Sequence, residues 1–167
     1  MNFTPSSSSP LGELRIRKAG PADIEILVLL INAAFVVEQL AIEGDRVNHE
    51  KVQTYMQTGK FLLLDDGSAT LGCVYVEKRG ERGYLGLLSV DPARQNKGLG
   101  RLLTAAAEKH LQEAGCCAVD LRVISARSEL VTFYGKLGYS VTGTSPMPAD
   151  APLKVPCHFI HMAKSWT

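Results

Sequence analysis

The chain has 167 residues, a length that predicts one domain with a substantial core. Hydrophobic residues make up 46% and charged residues 21%, which is ordinary for a globular protein. Lys and Arg number 18 against 17 Asp and Glu, which gives a net charge of +1. This balance excludes a strongly basic nucleic-acid-binding protein and a polyacidic tail protein, and it predicts no nucleic-acid partner.

The N-terminal segment and the apolar runs bear on where the protein works. Residues 1–12 are rich in Ser and Pro, and we expect a disordered leader there, followed by one domain over 13–167. The leader lacks the basic and apolar regions of a signal peptide. The longest apolar run, 26–31, is far shorter than the roughly 20 residues that span a bilayer, so we expect no membrane partner. The cysteines include no CxxC pair, which predicts reduced thiols, no metal site and a cytoplasmic protein.

A strand and two helices are predicted in the first third of the chain. Residues 13–18 alternate charged and apolar side chains, as in a half-buried strand. Gly20–Asp23 then ends the strand and begins a helix. The apolar face of this helix consists of Ile24, Leu27, Val28, Ile31, Ala34 and Phe35. A polar loop over 43–49 follows, and the next short helix passes through Val52, Tyr55 and Met56.

Three strands follow, and the last two form a hairpin. Short apolar runs over 61–64 and 71–76 predict the first two strands. The Gly-rich segment 79–83 predicts a reverse turn, after which the chain returns as a strand over 84–90. We therefore expect 71–76 and 84–90 to pair antiparallel.

The second half of the chain alternates helices and strands. A helix over about 99–114 buries a stripe of Leu and Ala side chains, and alternating apolar residues predict a strand over 118–124. A short helix over about 128–138 comes next. Strands over 139–142 and 157–163 enclose a proline-rich loop. The order β-α-α-β-β-β-α-β-α-β-β predicts an α/β domain with a mixed sheet.

The segment between the hairpin and the long helix is the strongest candidate for a ligand site. Gly98 and Gly100 open the helix and leave backbone N–H groups free for close approach. Free N–H groups at a helix start, together with the helix dipole, bind anions. Arg94, Lys97 and Arg101 add positive charge. We therefore expect a ligand that carries phosphates. A Walker loop is excluded because no Gly-Lys is followed by Ser or Thr, and a Rossmann fingerprint is excluded because the third glycine is missing.

Two separated motifs resemble those of one family. Gln95–Gly100 fits the pattern [Gln/Arg]-x-x-Gly-x-[Gly/Ala], in which x is any residue. Leu87–Pro92 looks like the strand that precedes this pattern. Phe133–Tyr139 is similar to an aromatic-Tyr-x-Lys-x-Gly-aromatic signature. Both motifs resemble those of the GNAT superfamily of acyl-CoA-dependent N-acetyltransferases. The resemblance covers about residues 14–163 of the chain. The resemblance implies a mixed, mostly antiparallel sheet of about seven strands, flanked by helices and splayed between the fourth and fifth strands.

The resemblance also implies roles for individual residues. Acetyl-CoA is the implied co-substrate, and Tyr134 is the implied acid that protonates the leaving thiolate, with a packing role as the alternative. The implied CoA-binding residues are Leu88, Ser89, Val90, Gln95, Asn96, Lys97, Gly98, Leu99, Gly100 and Arg101. The loop residues among these would bind the pyrophosphate through backbone N–H groups. Leu88 and Val90 would offer backbone groups to the acetyl carbonyl and the pantetheine arm.

Two departures from the family pattern concern the reaction. Many relatives carry Asn seven residues before the tyrosine, where this chain has Arg127, and Ser125 or Ser128 is a candidate to replace that contact. Many also carry a general base early in the fourth strand, where this chain has Tyr84 and Gly86. An amine with a pKa near 10.4 must lose a proton before it attacks. The candidates to take that proton are Glu81, Glu38, Glu43, Asp45 and a water chain.

The predicted function is acetyl transfer from acetyl-CoA to a primary amine of an unidentified small-molecule or amino-acid-like acceptor, by direct attack in a ternary complex. Acidic residues between 35 and 55 suit a cationic amine, and Arg46 suits a carboxylate on the acceptor. The alternatives are a non-catalytic acyl-CoA-binding module and an acetyltransferase that acts on a protein amine. The resemblance also allows a homodimer through the last strands, which the loop over 146–156 could promote or block.

Overall fold

A seven-stranded sheet with helices on both faces forms the centre of the protein. The structure, a computed structural model, describes residues 13–166, so the leader predicted over 1–12 lies outside the described residues. The strands are β1 (Arg15–Lys18), β2 (Lys60–Asp65), β3 (Thr70–Arg79), β4 (Arg82–Val90), β5 (Ala118–Ile124), β6 (Ser140–Pro146) and β7 (His158–Ser165). The α-helices are α1 (Ile24–Ala34), α2 (His49–Thr58), α3 (Leu99–Glu113) and α4 (Ser128–Lys136). Within this range, none of the helices combines the length and the apolar character needed to cross a membrane.

The strand order is β1-β2-β3-β4-β5-β7-β6. All neighbouring strands run antiparallel except β4 and β5, which are parallel. These two pair only over Arg82–Tyr84 and Ala118–Asp120, and they diverge beyond that point. The predicted α/β class, the mixed sheet and the splay between the fourth and fifth strands are confirmed.

The centre of the sheet is buried on both faces, which explains its continuous apolar runs. In β2, Leu62 and Leu64 belong to the core that α3 covers, whereas Phe61 and Leu63 belong to the core that α1 and α2 cover. Successive side chains of a strand point to opposite faces, so one short run supplies both cores. The two cores enclose the middle strands between the helices.

Two strands differ from the prediction. All four residues of β1 are exposed, Ile16 to 38%, and none belongs to either core, because β1 lies at the edge of the sheet. Leu14, just before β1, packs partly buried against the core that α3 covers. β6 continues to Pro146 rather than ending at Thr142, because it pairs with β7 as far as His158. Hydrogen bonding to a neighbouring strand therefore extends β6 beyond its apolar residues.

Gly59, which follows α2, lies so close to β3 that an added methyl group has no room. A Cβ atom there would lie 2.5 Å from Tyr75 Oη and 2.5 Å from the carbonyl oxygen of Val76. Because that carbonyl is backbone, we expect Gly59→Ala to lower the free energy of unfolding by roughly 1–3 kcal/mol. In thermal unfolding, this lowers Tm by about 2–12 °C. Gly20→Ala is the control, since nothing lies within 4 Å of a Cβ there. Equal Tm values for the two variants would contradict the prediction.

Candidate active site

A cavity of about 750 Å³ opens where β4 and β5 diverge. Beyond Tyr84 and Asp120, β4 pairs only with β3 and β5 only with β7. Backbone groups of both strands therefore border the gap. The other walls of this central cavity come from the segment between α1 and α2, the loop before α3, the start of α4 and the loop before β7.

One extra residue in β4 bends the strand beside the central cavity. The register with β3 shifts here, and Leu87 adopts a φ of 52°. This left-handed conformation is uncommon for a residue with a side chain, and an extra residue of this kind changes where its neighbours point. Leu88 and Val90 line the cavity. Ser89 is buried, does not line the cavity, and donates from Oγ to the Leu87 carbonyl at 2.9 Å.

The loop between β4 and α3 enters the helix through two left-handed residues. Asp91 caps its first turn, where Oδ1 accepts a hydrogen bond from Ala93 N at 3.0 Å. Asn96 with a φ of 67° and Gly98 with a φ of 78° then take left-handed conformations that lead into α3. The first N–H groups of a helix have no partner within it and attract anions. The loop is therefore suited to a phosphate group.

Most of the predicted loop residues reach the central cavity. Those that line it are Gln95, Asn96, Gly98, Leu99, Gly100 and Arg101. Lys97 is exposed and lies beside the lining. Arg94 was expected to add positive charge to the loop, but its guanidinium lies 3.5 Å from the Asp66 carboxylate, which offsets that charge. In the described part of the chain, Lys97 and Arg101 form no ion pair, so their charges remain available to an anion.

Gly100 of α3 leaves room for the Phe133 ring of α4. A Cβ atom at Gly100 would lie 3.3 Å from Phe133 Cζ, which is tighter than an ordinary contact. Phe133 in turn packs edge-on against Tyr134, with ring centroids 5.0 Å apart. The absence of a side chain at Gly100 thus lets Phe133 approach α3, and Phe133 and Tyr134 both line the cavity.

Tyr134 is buried but lines the central cavity. Its ring also packs against that of Tyr139, with centroids 5.5 Å apart. Burial raises the pKa of Tyr134 above its ordinary value, and the nearby Tyr84 hydroxyl raises it further, while Arg127 opposes both. The phenol is therefore protonated at neutral pH, and the same shift makes it a weaker acid than an ordinary tyrosine.

Glu38, in the segment between α1 and α2, is a largely buried carboxyl group on the cavity wall. Its side chain is 11% exposed, and Arg127 Nη1 donates to its Oε2 at 3.0 Å. Arg127 also donates to Glu129 at 2.6 Å. Burial raises the pKa of Glu38, while Arg127 and Arg46 oppose this effect. A desolvated carboxylate that faces a cavity is suited to take a proton from a ligand.

The four carboxylates that are candidates for the general base differ in position and burial. Glu38, Glu43 and Asp45 line the central cavity. Glu81 lies in the exposed turn between β3 and β4 and does not line it, which removes Glu81 as a base there. Glu43 and Asp45 are exposed. Among the four, Glu38 combines burial, a raised pKa and a position on the cavity.

Arg127 lines the cavity, whereas Ser125 and Ser128, the candidates to replace the expected Asn, do not. Ser125 Oγ instead accepts a hydrogen bond from His158 N at 3.0 Å. Arg127 joins the start of α4 to Glu38, which lies 89 positions away in the sequence. Sequence reasoning missed this pair, because no pattern links positions so far apart.

Two arginine–aromatic contacts beside the cavity were also missed. The Arg79 guanidinium lies 4.0 Å from the Tyr84 ring centroid, and the Arg122 guanidinium lies 4.0 Å from the Phe159 ring centroid. Tyr84, Arg122 and Phe159 line the central cavity. The alternation of β5 contained a signal for Arg122, because a charged residue between two buried ones faces away from their core.

The loop before β7 covers part of the cavity. Its lining residues are Met147, Pro148, Ala151 and Pro152. Backbone hydrogen bonds tie this loop to the segment after Glu38: Glu43 N donates to the Pro152 carbonyl at 2.9 Å, and Lys154 N donates to the Ala41 carbonyl at 2.7 Å. Two distant parts of the chain thus form one continuous wall.

Curated relatives align with most of the chain. The mycothiol acetyltransferase of Propionibacterium freudenreichii is 31% identical over 159 residues, which cover 91% of this chain and 50% of that protein. The mycothiol acetyltransferase of Actinosynnema mirum is 34% identical over 137 residues, which cover 78% of this chain and 46% of that protein. The chain spans about half the length of the curated relatives it matches.

Solved structures share the fold. PaiA N-acetyltransferase from Thermoplasma acidophilum, solved with coenzyme A, has a TM-score of 0.74 at 20% identity, over 92% of this chain and 99% of that chain. YncA from Salmonella typhimurium, solved with acetyl-CoA, has a TM-score of 0.72 at 19% identity, over 92% of this chain and 94% of that chain.

The family model described as "Acetyltransferase (GNAT) domain" matches residues 33–156. This range is more than half of the chain and contains the loop before α3, Glu38 and Tyr134. It also covers both motifs on which the resemblance was based. The chain therefore belongs to the GNAT acetyltransferase family.

Proposed function

We propose that the chain transfers an acetyl group from acetyl-CoA, its co-substrate, to a primary amine of a small-molecule or amino-acid-like acceptor, by direct attack in a ternary complex. The observation that carries this proposal is the central cavity, which is lined by the loop between β4 and α3, by Tyr134 and by Glu38. One space therefore contains groups suited to bind phosphate, to give a proton and to take one.

The loop between β4 and α3 is suited to the pyrophosphate of acetyl-CoA. The left-handed turns at Asn96 and Gly98 expose N–H donors at the start of α3, and Lys97 and Arg101 add charge. Leu88, Ser89 and Val90 offer backbone groups to the pantetheine arm and to the acetyl carbonyl, whose developing negative charge needs a donor. Ser89 contributes through its backbone alone, because its side chain is buried. The coenzyme A and acetyl-CoA bound to the two structural relatives support this assignment.

Glu38 and Tyr134 have complementary roles in proton transfer. An amine with a pKa near 10.4 is mostly protonated at neutral pH, and a carboxylate with a raised pKa is a stronger base than an ordinary one. Glu38 takes the proton that the amine loses as its C–N bond forms. Tyr134 gives its proton to the sulfur as the C–S bond breaks. A thiolate whose conjugate acid has a pKa near 8.5 leaves readily, so this help is modest.

The wall around Glu38 favours a small cationic acceptor. Glu43 and Asp45 line this side and attract an ammonium group. The loop before β7 covers the same side through its backbone hydrogen bonds, which favours a small acceptor over an amine of a folded protein.

Acetyl-CoA should stabilise the protein, whereas ATP at the same concentration should not. At about 100 times its Kd, a ligand adds roughly 2.7 kcal/mol to the free energy of unfolding. We expect Tm to rise by about 5–11 °C. A Lys97→Gln, Arg101→Gln double variant should show a smaller rise, and an Arg15→Gln, Lys109→Gln double variant, which removes two exposed cations elsewhere, is the control. An unchanged Tm at millimolar acetyl-CoA would contradict the proposed function.

Replacement of Glu38 by Gln should lower kcat/KM by about 10²–10⁴. Because burial raises the pKa of Glu38, the carboxylate forms only as pH rises past that pKa, so wild-type kcat/KM should increase with pH and then level off. Glu38→Gln should lose this plateau, so that its kcat/KM keeps rising through neutral pH as more free amine forms. Glu43→Gln, an exposed neighbour on the same wall, should raise KM for the amine but keep the pH profile. A plateau at neutral pH that persists in Glu38→Gln would assign the base elsewhere.

Replacement of Tyr134 by Phe should lower kcat by about tenfold to 10²-fold at saturating substrates, at or below the low end for acid catalysis, while preserving the Tm rise with acetyl-CoA. The matched control is Tyr139→Phe, which loses the hydrogen bond from Tyr139 Oη to Glu108 at 2.8 Å and should reduce stability but not kcat. An unchanged kcat in Tyr134→Phe would leave Tyr134 with a packing role. A wild-type protein that binds acetyl-CoA and acetylates no amine would be the non-catalytic acyl-CoA-binding module.

A further inference from the structure

A second, smaller cavity adjoins the central cavity. Its volume is about 330 Å³, and it is lined by Arg79, Tyr84, Asp120, Leu121, Arg122 and His161. Tyr84, Leu121 and Arg122 line both cavities. The Leu121 side chain is buried in the core that α3 covers, so Tyr84 and Arg122 supply the side chains at the boundary between the two spaces.

Arg122 is the charged residue on this boundary. Leu121 and Val123, its neighbours in β5, are buried in the core that α3 covers, so Arg122 points to the other face of the sheet. There its guanidinium lies 4.0 Å from the Phe159 ring centroid. A guanidinium stacked on an aromatic ring keeps a defined plane and leaves its N–H edge free for hydrogen bonds.

The other charges around the second cavity are already compensated. Arg82 donates to both carboxylate oxygens of Asp120, at 2.8 Å and 2.6 Å. Arg79 Nε donates to Glu77 Oε2 at 2.6 Å. Arg122, by contrast, forms no ion pair or side-chain hydrogen bond within residues 13–166. The boundary between the cavities therefore carries one positive charge that no protein group offsets.

His161, which the sheet register pairs with Arg122, also lines the second cavity. Its Nε2 lies 2.6 Å from Ser145 Oγ, which holds the ring in place. The cavity is thus bordered by the guanidinium groups of Arg79 and Arg122 and by the His161 ring, and its one carboxylate, Asp120, is already paired with Arg82. This set of groups suits an anion far better than a cation.

We propose that Arg122 binds a carboxylate on the acceptor, so that the acceptor is an amino acid or a short peptide with a free carboxyl end. The planar fork of a guanidinium matches the two oxygens of a carboxylate. Glu38 and its acidic neighbours attract the amine of such a molecule, and Arg122 attracts its opposite end. This inference rests on the proposed function, because it names the acceptor class of the same site.

Arg46, to which sequence reasoning assigned a carboxylate, is less suited to that role. Its positive charge already acts on Glu38, whose pKa it lowers against the effect of burial. Its guanidinium lies 5.6 Å from the Phe35 ring centroid, on the same wall as Glu38. A carboxylate bound there would lie beside the acidic groups and be repelled by them.

The first test compares dipeptides that differ only at the carboxyl end. Each dipeptide is supplied as the free acid and as the C-terminal amide, and transfer from acetyl-CoA is followed by thiol release. Wild-type kcat/KM should favour the acids by about tenfold, since a charge-assisted hydrogen bond contributes on that order. Arg122→Gln should bring the acid-to-amide ratio to about one, and Arg122→Lys should retain part of it. Arg15→Gln, at an exposed arginine of β1, should keep the wild-type ratio.

The second test measures binding without turnover. N-acetyl dipeptides, as acids and as amides, are titrated calorimetrically into the CoA complex of the wild type and of Arg122→Gln. Tighter binding of the acids that disappears in Arg122→Gln supports the proposal, even if no amine is acetylated and the proposed function fails. Equal binding of acids and amides by the wild type, or equal weakening of both by Arg122→Gln, overturns it. Acetylation of acids and amides at equal rates would overturn the carboxylate site while leaving the proposed function in place.

Discussion

The contact between β4 and β5 ends after Tyr84 and Asp120, and the candidate site depends on that ending. Each strand keeps its other neighbour, so the sheet remains one body while a gap opens inside it. Backbone N–H and carbonyl groups that border such a gap need partners. An extended ligand with its own amide groups can supply them, and the extra residue at Leu87 changes which groups face it. The unpaired backbone groups of β4 and β5 thus shape the site more than its side chains do.

The ion pair between Glu38 and Arg127 determines the character of the acceptor side. Both side chains are largely buried, so both lose hydration that their mutual attraction must offset. Arg127 divides its donors between Glu38 and Glu129, which leaves Glu38 with one bound oxygen. In the described residues its Oε1 has no protein partner. A carboxylate held in this way keeps its position while one oxygen remains open to a ligand, as a base requires.

The sequence predicts those parts of the site whose signals are contiguous. The loop before α3 and the aromatic pair on α4 each lie within a few residues, so both motifs were recognisable. The bend at Leu87 was not, because nothing in a run of leucines indicates a left-handed residue. The exposure of β1 depends on its place at the sheet edge, and the pairing of Glu38 with Arg127 depends on the whole topology. Local patterns specify turns and helix starts, whereas these features arise only when distant segments meet.

The backbone hydrogen bonds between Ala41–Glu43 and Pro152–Lys154 have a consequence for protein engineering. The two segments form one wall of the cavity, although more than a hundred positions separate them in the chain. A loop grafted from a relative into one segment would lose hydrogen-bond partners in the other. To change acceptor specificity by loop exchange, both segments must therefore be replaced together, although they are far apart in the sequence.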